Sequence, residues 1–255
     1  MLFRSRVARL NAQKHLLEEL VLARTKELEQ AYAEIEKISL QDPLTGLGNR
    51  RHLNQSLAQL AMIAPNEDRR TGKGKRYAFI LIDIDHFKTI NDTHGHASGD
   101  HILSGIAAIL REHCRADDIA VRWGGEEFLL CARVNDEHEA LAFASRLRQA
   151  VGAADFHISD QKSLRTTCSI GIACYPFSIQ QYAALTQEQV ILIADACLYI
   201  AKRNGRDQCV SATANGNLAE SSLNTLNTDV QSFLRSPCVH LQSDKMNELQ
   251  TQNST

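Results

Sequence analysis

Arg122-Trp123-Gly124-Gly125-Glu126-Glu127-Phe128 constrains the fold of this chain more than any other stretch. Two strand-like runs, Ile119 to Trp123 and Phe128 to Val134, flank a Gly-Gly pair, where a tight turn wants residues with φ > 0. That pattern predicts an antiparallel hairpin. Two carboxylates directly after the turn do nothing for folding, since they repel each other and suit strands badly. Neighbours on a strand point to opposite faces, so Glu126 and Glu127 are expected to do different jobs. Carboxylates beside a small turn suit a divalent metal and a phosphate-bearing ligand that approaches the backbone closely. The plain alternative is a solvated turn that happens to be acidic.

A second strand is written as Tyr77-Ala78-Phe79-Ile80-Leu81-Ile82-Asp83, a continuous apolar run ending in an acid, as a central strand buried on both faces requires. Asp83 is then either a metal ligand beside the hairpin or a carboxylate that caps a loop. Asp85-His86-Phe87-Lys88 starts a helical turn whose free N–H groups could hold phosphate. After a polar loop from Asn91 to Asp100, Ile102, Leu103, Ile106, Ile109 and Leu110 fall at helical spacing. Asn135 or Asp136 caps the next helix, with Ala140, Leu141, Ala144, Leu147 and Val151 on one face. Thr166 to Tyr175 is rich in β-formers, with Ser169, Gly171 and Ala173 alternating against Ile170 and Ile172. Gln187 to Lys202 is helical and stops at Asn204-Gly205. Lys202 and Arg206 at its end are either anion anchors or ordinary charges favoured by the helix dipole. A short strand from Asp207 to Ser211 closes the pattern, which predicts an α+β architecture with helices packed on a mixed or antiparallel sheet.

The flanks differ in kind. Across residues 10–38, Lys14, Val21, Leu28 and Ile35 alternate with Leu10, Leu17, Arg24, Ala31 and Ile38, a heptad seam that predicts self-association. A single amphipathic helix lying on the globular domain is the other reading. The residue before Pro43 cannot continue a helix comfortably, so this one ends at Asp42. From about Ala212 the chain turns rich in Ser, Asn, Thr and Gln, and a mostly disordered tail over 212–255 is expected. The expected organisation is thus a helix over 1–40, a folded domain over 41–211 and that tail. Thr71-Gly72-Lys73-Gly74-Lys75 lacks P-loop spacing and follows no strand, so it reads as a solvated loop.

Composition excludes several classes. A formal net charge of −2 advertises no nucleic-acid partner. The seven cysteines show no Cys-x-x-Cys spacing and several sit in apolar runs, as small hydrophobes in a reducing cytoplasm do. No run approaches the ~18 apolar residues that a membrane span needs.

Five ordered motifs carry a resemblance. They are Asp42–Arg51; Asp83–Lys88 with Asn91-Asp92 and Gly95-His96 through Asp100; Gly124–Phe128; Thr167–Ile172; and Asp195–Arg206. Together they resemble the GGDEF-domain family of diguanylate cyclases, in a Gly-Gly-Glu-Glu-Phe form. The resemblance implies a nucleotidyl-cyclase-like (ferredoxin-like) sheet flanked by helices and preceded by a coiled-coil helix. It also implies a homodimer in which two GTP molecules condense into cyclic di-GMP and two pyrophosphates. By position, Asp83, the carbonyl of Ile84 and Glu126 would hold Mg²⁺, with Mn²⁺ as an alternative ion. Glu127 would help deprotonate the 3′-hydroxyl or bind a second metal. Asn91 and Asp100 would read guanine, and His96 would line the nucleotide site. Backbone N–H groups of Phe87 and Lys88, together with Lys202 and Arg206, would bind phosphates, and Gly124 and Gly125 would let the α-phosphate and ribose approach. Arg115-x-x-Asp118, with Arg146 as a secondary contact, matches an inhibitory product site. The main rival is a non-catalytic GTP or cyclic di-GMP receptor, and a coiled-coil scaffold is the other.

Overall fold

The computed structural model of the chain describes residues 21–22, 24–26, 40–63, 76–159, 162–178, 181 and 184–245. The chain divides into two units, Met1–Gln41 and Asp42–Thr255. Of the first, residues 21–22 and 24–26 are described as helical, and Thr25 Oγ1 donates to the carbonyl of Val21 at 2.9 Å. The rest of the heptad over 10–38 lies outside the described residues, as does most of the loop over 65–76.

The second unit is built on a seven-stranded mixed sheet. Its strands are β1 (Gly48–Asn49), β2 (Arg76–Ile84), β3 (Ile119–Gly124), β4 (Glu127–Val134), β7 (Cys168–Tyr175), β8 (Cys209–Ala214) and β9 (Val239–Ser243). They run in the order β1-β3-β4-β2-β7-β8-β9. A small separate hairpin joins β5 (Phe156–Ser159) to β6 (Lys162–Leu164). The sheet is mixed because β1 runs parallel to β3 and β7 parallel to β8, while the other pairs are antiparallel. The helices are α1 (Arg50–Ile63), α2 (Phe87–His94), α3 (His96–His113), α4 (Glu137–Ala153), α5 (Gln187–Arg203), α6 (Glu220–Thr228) and α7 (Val230–Leu234).

β2 takes the centre because its apolar run buries both faces. Ala78, Ile80, Ile82 and Ile84 join one core with Phe87 and Ile90 of α2, Ile102 and Ile106 of α3, and Leu147 of α4. Phe79 and Leu81 join the opposite core with Leu53 and Leu57 of α1 and Ile193, Cys197 and Leu198 of α5. That alternation follows from the two-residue side-chain period of a strand. Helix ends follow their caps. Asp136 accepts from the N–H of Glu139 to start α4, and Thr186 with Gln189 forms a capping box at α5.

Two expectations are corrected. The Gly-Gly pair is not the whole turn: Gly124 pairs with Glu127, so Gly125 and Glu126 make the turn and only Glu127 stands on a strand. Gly125 adopts φ +23°, and a bulge between Arg122 and Gly124 shifts the register by a residue. The tail is also not disordered between 212 and 245. β8 extends to Ala214, two helices follow, and β9 adds to the sheet edge. Leu218, Leu226, Phe233 and Leu234 are buried in the second core, with the Phe233 ring 6.0 Å from that of Phe177. A few apolar residues suffice there, because they dock onto a face that the sheet and α5 have already built. Residues 246–255 lie outside the described region. Among the described residues no helix is long and apolar enough to cross a membrane.

Candidate active site

Sheet order and register gather the acidic residues at one end of β2. Asp83 lies directly across from Glu127 on β4 and from Ser169 on β7, and Glu126 precedes Glu127 in the turn. Asp83 is 4% exposed, and its Oδ2 receives the Lys202 ammonium at 2.7 Å from the end of α5. Burial pushes the Asp83 carboxyl above its ordinary range; Asp85 adds to this, whereas Lys202 and Arg206 oppose it. Burial and the Asp83 charge raise Glu126 as well. Glu127 is raised by burial, then by Asp83, with Asp195 and Glu126 adding and Lys202 opposing. All three carboxyls are thus raised first by burial, and the Asp83 charge adds to this at both glutamates.

Asp85 has a different occupation. It is buried, and its carboxylate accepts from Ser169 Oγ at 2.7 Å, Thr167 Oγ1 at 2.6 Å and the N–H of Asp207 at 3.0 Å. Its own N–H donates to the carbonyl of Thr167 at 2.9 Å. Asp85 therefore ties the β2–α2 loop to the β7 strand and to the loop after α5. His86 follows in a left-handed conformation, φ 58°, and turns the chain into α2. Phe87 and Lys88 begin that helix, so their N–H groups belong to its first, unpaired turn.

The turn tip is held by Arg122, whose Nε and Nη2 donate to the carbonyl of Gly125 at 3.0 and 2.7 Å. Its Nη1 pairs with Asp42 at 3.2 Å, and Asp42 in turn accepts from Thr45 N and Oγ1 at 2.8 and 2.6 Å. Sequence reasoning passed over Arg122 and Asp85. The available signals were a cation inside a hairpin and three hydroxyl residues, Thr166, Thr167 and Ser169, opposite a second aspartate.

Asn91 lies on α2 and His96 and Asp100 on α3, on either side of Gly95 at φ +82°. The Oδ1 atom of Asn91 is buried with no hydrogen-bond partner. A Cβ on Gly99 would lie 2.0 Å from that oxygen, so the amide rests against the residue that precedes Asp100. His96 and Asp100 are exposed. Among the described residues nothing supplies a partner for that oxygen, which lies against the first turn of α3.

Arg115 and Asp118 meet elsewhere, at the entry to β3. The N–H of Arg115 donates to Asp118 Oδ2 at 2.8 Å, and its guanidinium reaches Glu139 at 3.3 Å while 69% exposed. Arg115, Asp118, Arg133, Glu139, Phe143 and Arg146 line a small cavity there, with the Arg146 guanidinium 5.6 Å from the Phe143 ring centre.

A family model described as "Diguanylate cyclase, GGDEF domain" matches residues 39–208. The chain is 39% identical over 170 residues to the diguanylate cyclase DgcP of Pseudomonas aeruginosa, covering 67% of this chain and 23% of that protein. It resembles the solved structure of the diguanylate cyclase SiaD, in complex with its activator SiaC, from Pseudomonas aeruginosa. That match has a TM-score of 0.60 and 32% identity, over 81% of this chain and 76% of that one. A structure comprising only the GGDEF domain of PA1120 from the same organism matches with a TM-score of 0.58 and 32% identity, over 74% and 99% of the two chains. The chain spans about a quarter of the length of the first curated relatives it matches.

Proposed function

We propose that this chain, which belongs to the GGDEF-domain, diguanylate cyclase family, condenses two GTP molecules into cyclic di-GMP and two pyrophosphates between two copies of its 41–211 domain. The observation that carries the reading is the register of Asp83 against Glu127, with Glu126 in the adjoining turn and all three carboxyls raised. The helix over 1–40 pairs as a coiled coil and brings two domains together, raising their effective concentration. GTP as substrate places the reaction in the cytoplasm.

Glu127 accepts the 3′-hydroxyl proton of one GTP, a role that a carboxyl raised toward neutrality fills better than an ordinary one. The hydroxyl oxygen then bonds to the α-phosphorus of the other GTP, and the bond from that phosphorus to the bridging oxygen breaks. Lys202 and Arg206 neutralise charge on the departing pyrophosphate, and the N–H groups of Phe87 and Lys88 hold its oxygens. Gly124 and Gly125 leave the hairpin backbone open to the α-phosphate and ribose. Asp83, the carbonyl of Ile84 and Glu126 would hold Mg²⁺, or Mn²⁺ in its place. These hard oxygen donors fit the ion. Among the described residues no three His, Cys, Asp or Glu side chains form a preformed cage, which suits an ion that keeps waters and substrate phosphates in its shell. When bound, the ion supplies charge neutralisation at the phosphoryl oxygens.

Asn91 and Asp100 read guanine, beside His96. The carboxylate accepts from N1–H and N2–H₂ while the amide N–H donates to O6, so adenine leaves both groups without partners, at ~1–3 kcal/mol each where the bound base shuts out water. Gly99→Ala is expected to displace the Asn91 amide and to raise KM for GTP by about tenfold or more, a change of ~1.4 kcal/mol. An unchanged KM in steady-state assays would remove Asn91 from the site.

Arg115, Asp118 and Arg146 bind product and restrain the enzyme. Arg115→Ala is expected to raise the inhibition constant for cyclic di-GMP by about tenfold or more, since the guanidinium can fork onto phosphate or guanine. If the constant does not move, the cavity at α4 is not the inhibitory site.

The deciding experiment incubates the full chain with GTP and Mg²⁺, resolves the nucleotides by chromatography and compares it with Glu127→Ala. Cyclic di-GMP and pyrophosphate from the parent alone support the cyclase. A parent that binds cyclic di-GMP but makes neither product is the receptor.

A further inference from the structure

We propose that the end of β9, Ser243-Asp244-Lys245, is a clamp that positions Arg206, so that this C-terminal extension sets the affinity of the site for the outer phosphates of GTP. The inference rests on the reading of Arg206 as a phosphate anchor. It concerns residues that lie beyond the 39–208 stretch matched by the family model.

Gly205, Arg206 and Asp207 are three consecutive residues with φ of 103°, 62° and 46°. Two non-glycine residues in succession avoid the left-handed region unless their surroundings dictate it. Here the surroundings come from the helix end, where the Arg206 N–H donates to the Ala201 carbonyl at 3.1 Å, and from the tail. The Asp207 carboxylate sits between the Arg148 guanidinium and the Lys245 ammonium, each at 2.8 Å. Arg148 is aimed by Asp244, also at 2.8 Å, with side chains only 12% and 6% exposed. Asp244 accepts from Ser145 Oγ at 3.0 Å and from the N–H of Cys209 at 2.8 Å, and its own N–H donates to the Cys209 carbonyl at 3.3 Å.

Ser243 completes the grip. Its hydroxyl donates to Gln208 Oε1 at 3.3 Å, and Gln208 Nε2 caps the carbonyls of Ala201 and Asn204 at 3.1 and 2.8 Å. Residues 243, 244 and 245 thus engage 208, 209 and 207 in turn, immediately after Arg206. The Asp207 N–H held by Asp85 at 3.0 Å joins the same loop to the end of β2. Arg206 itself is exposed and carries no such tether on its side chain among the described residues' bonds. Its direction is therefore set by a backbone that the Ala201 carbonyl, Asp85 and the clamp hold together.

The test measures equilibrium binding of α,β-methylene GTP and of GMP, both with Mg²⁺, to the full chain and to Asp244→Ala, Arg206→Ala and the double variant. Asp244→Ala and Arg206→Ala are each expected to weaken the GTP analogue about tenfold and to shift GMP by less than about twofold, with the double variant no weaker than either single one. GMP lacks the outer phosphates, so its binding reports an intact fold in the same sample. Lys245→Ala, at a half-exposed position, is expected to show a smaller loss of the same kind. The clamp is overturned if Asp244→Ala binds the analogue as the parent does while Arg206→Ala does not. Equal losses of GMP and analogue in Asp244→Ala, or multiplied losses in the double variant, overturn it too. An Arg206→Ala variant that keeps full analogue affinity removes the phosphate-anchor reading itself, and the clamp with it.

Discussion

Glu127→Gln is expected to lower cyclic di-GMP formation by about a thousandfold and to make the metal-free protein melt a few degrees higher. The first effect follows from removing the group that takes the hydroxyl proton, a contribution of about 10²–10⁴ in such reactions. The second follows from charge. Asp83, Glu126 and Glu127 are all raised, each first by burial, and the two glutamates next by the Asp83 anion. A carboxyl whose folded-state pKa is raised favours the folded state while it is protonated. That advantage is complete below the unfolded pKa and is lost as pH rises through the folded value. The metal-free parent should therefore lose stability from the ordinary carboxylate range upward toward neutrality. An amide in place of Glu127 removes one of the three repelling charges. For partly exposed groups this is worth roughly 0.5–1 kcal/mol, or about 2–4 °C per kcal/mol in a domain of this size. Thermal melts without divalent ions at two pH values, beside product assays with Mg²⁺, read both effects. A variant that is inactive yet melts no higher at neutral pH would show that the three carboxylates do not strain the fold.

The same residues show how much of the site was legible in the sequence. The apolar run ending at Asp83 announces a central strand, and a Gly-Gly pair between two strand-like runs announces the hairpin. Those two signals bring Asp83 and Glu127 within reach of each other once the strands pair. They do not fix the register, which depends on the bulge between Arg122 and Gly124, and so they misplaced Glu126 on a strand. Arg122 and Asp85 escaped because Asp42, the distant partner of one, and Thr167, Ser169 and Asp207, the partners of the other, are set by tertiary contact. The Arg122 bond to Gly125 depends on the bulged turn. The tail misled for a different reason. Average composition over 212–255 is polar, yet burial of Phe233 and Leu234 depends on a face that other elements create. A sequence window sees the segment and not the surface awaiting it.

Gly171→Ala is expected to be the most damaging single-methyl change in the domain. Gly171 sits in β7, paired with Leu81 of β2 on one side and Val210 of β8 on the other. A Cβ there would lie 2.0 Å from the carbonyl oxygen of Ala194, 2.3 Å from the nitrogen of Leu198 and 2.8 Å from its Cα. All three atoms belong to the backbone of α5, so no side chain can swing aside. Either the helix lifts from the sheet or the strand buckles, and both separate well-packed surfaces. Overpacking ordinarily costs about 1–3 kcal/mol, and a clash with helix backbone belongs at the upper end or beyond, roughly 3–5 kcal/mol. That lowers the thermal midpoint by about 10 °C. Gly152→Ala supplies the contrast, because a Cβ at that helical position meets nothing within 4 Å. There the same methyl should stabilise by about 0.5–1 kcal/mol through helix propensity. The damage at Gly171 also reaches the chemistry, since α5 carries Lys202, whose ammonium lies 2.7 Å from Asp83. Well below its melting point, Gly171→Ala should therefore show a raised KM for GTP while Gly152→Ala does not. Parental melting and parental KM for Gly171→Ala would mean that α5 does not lie against this strand.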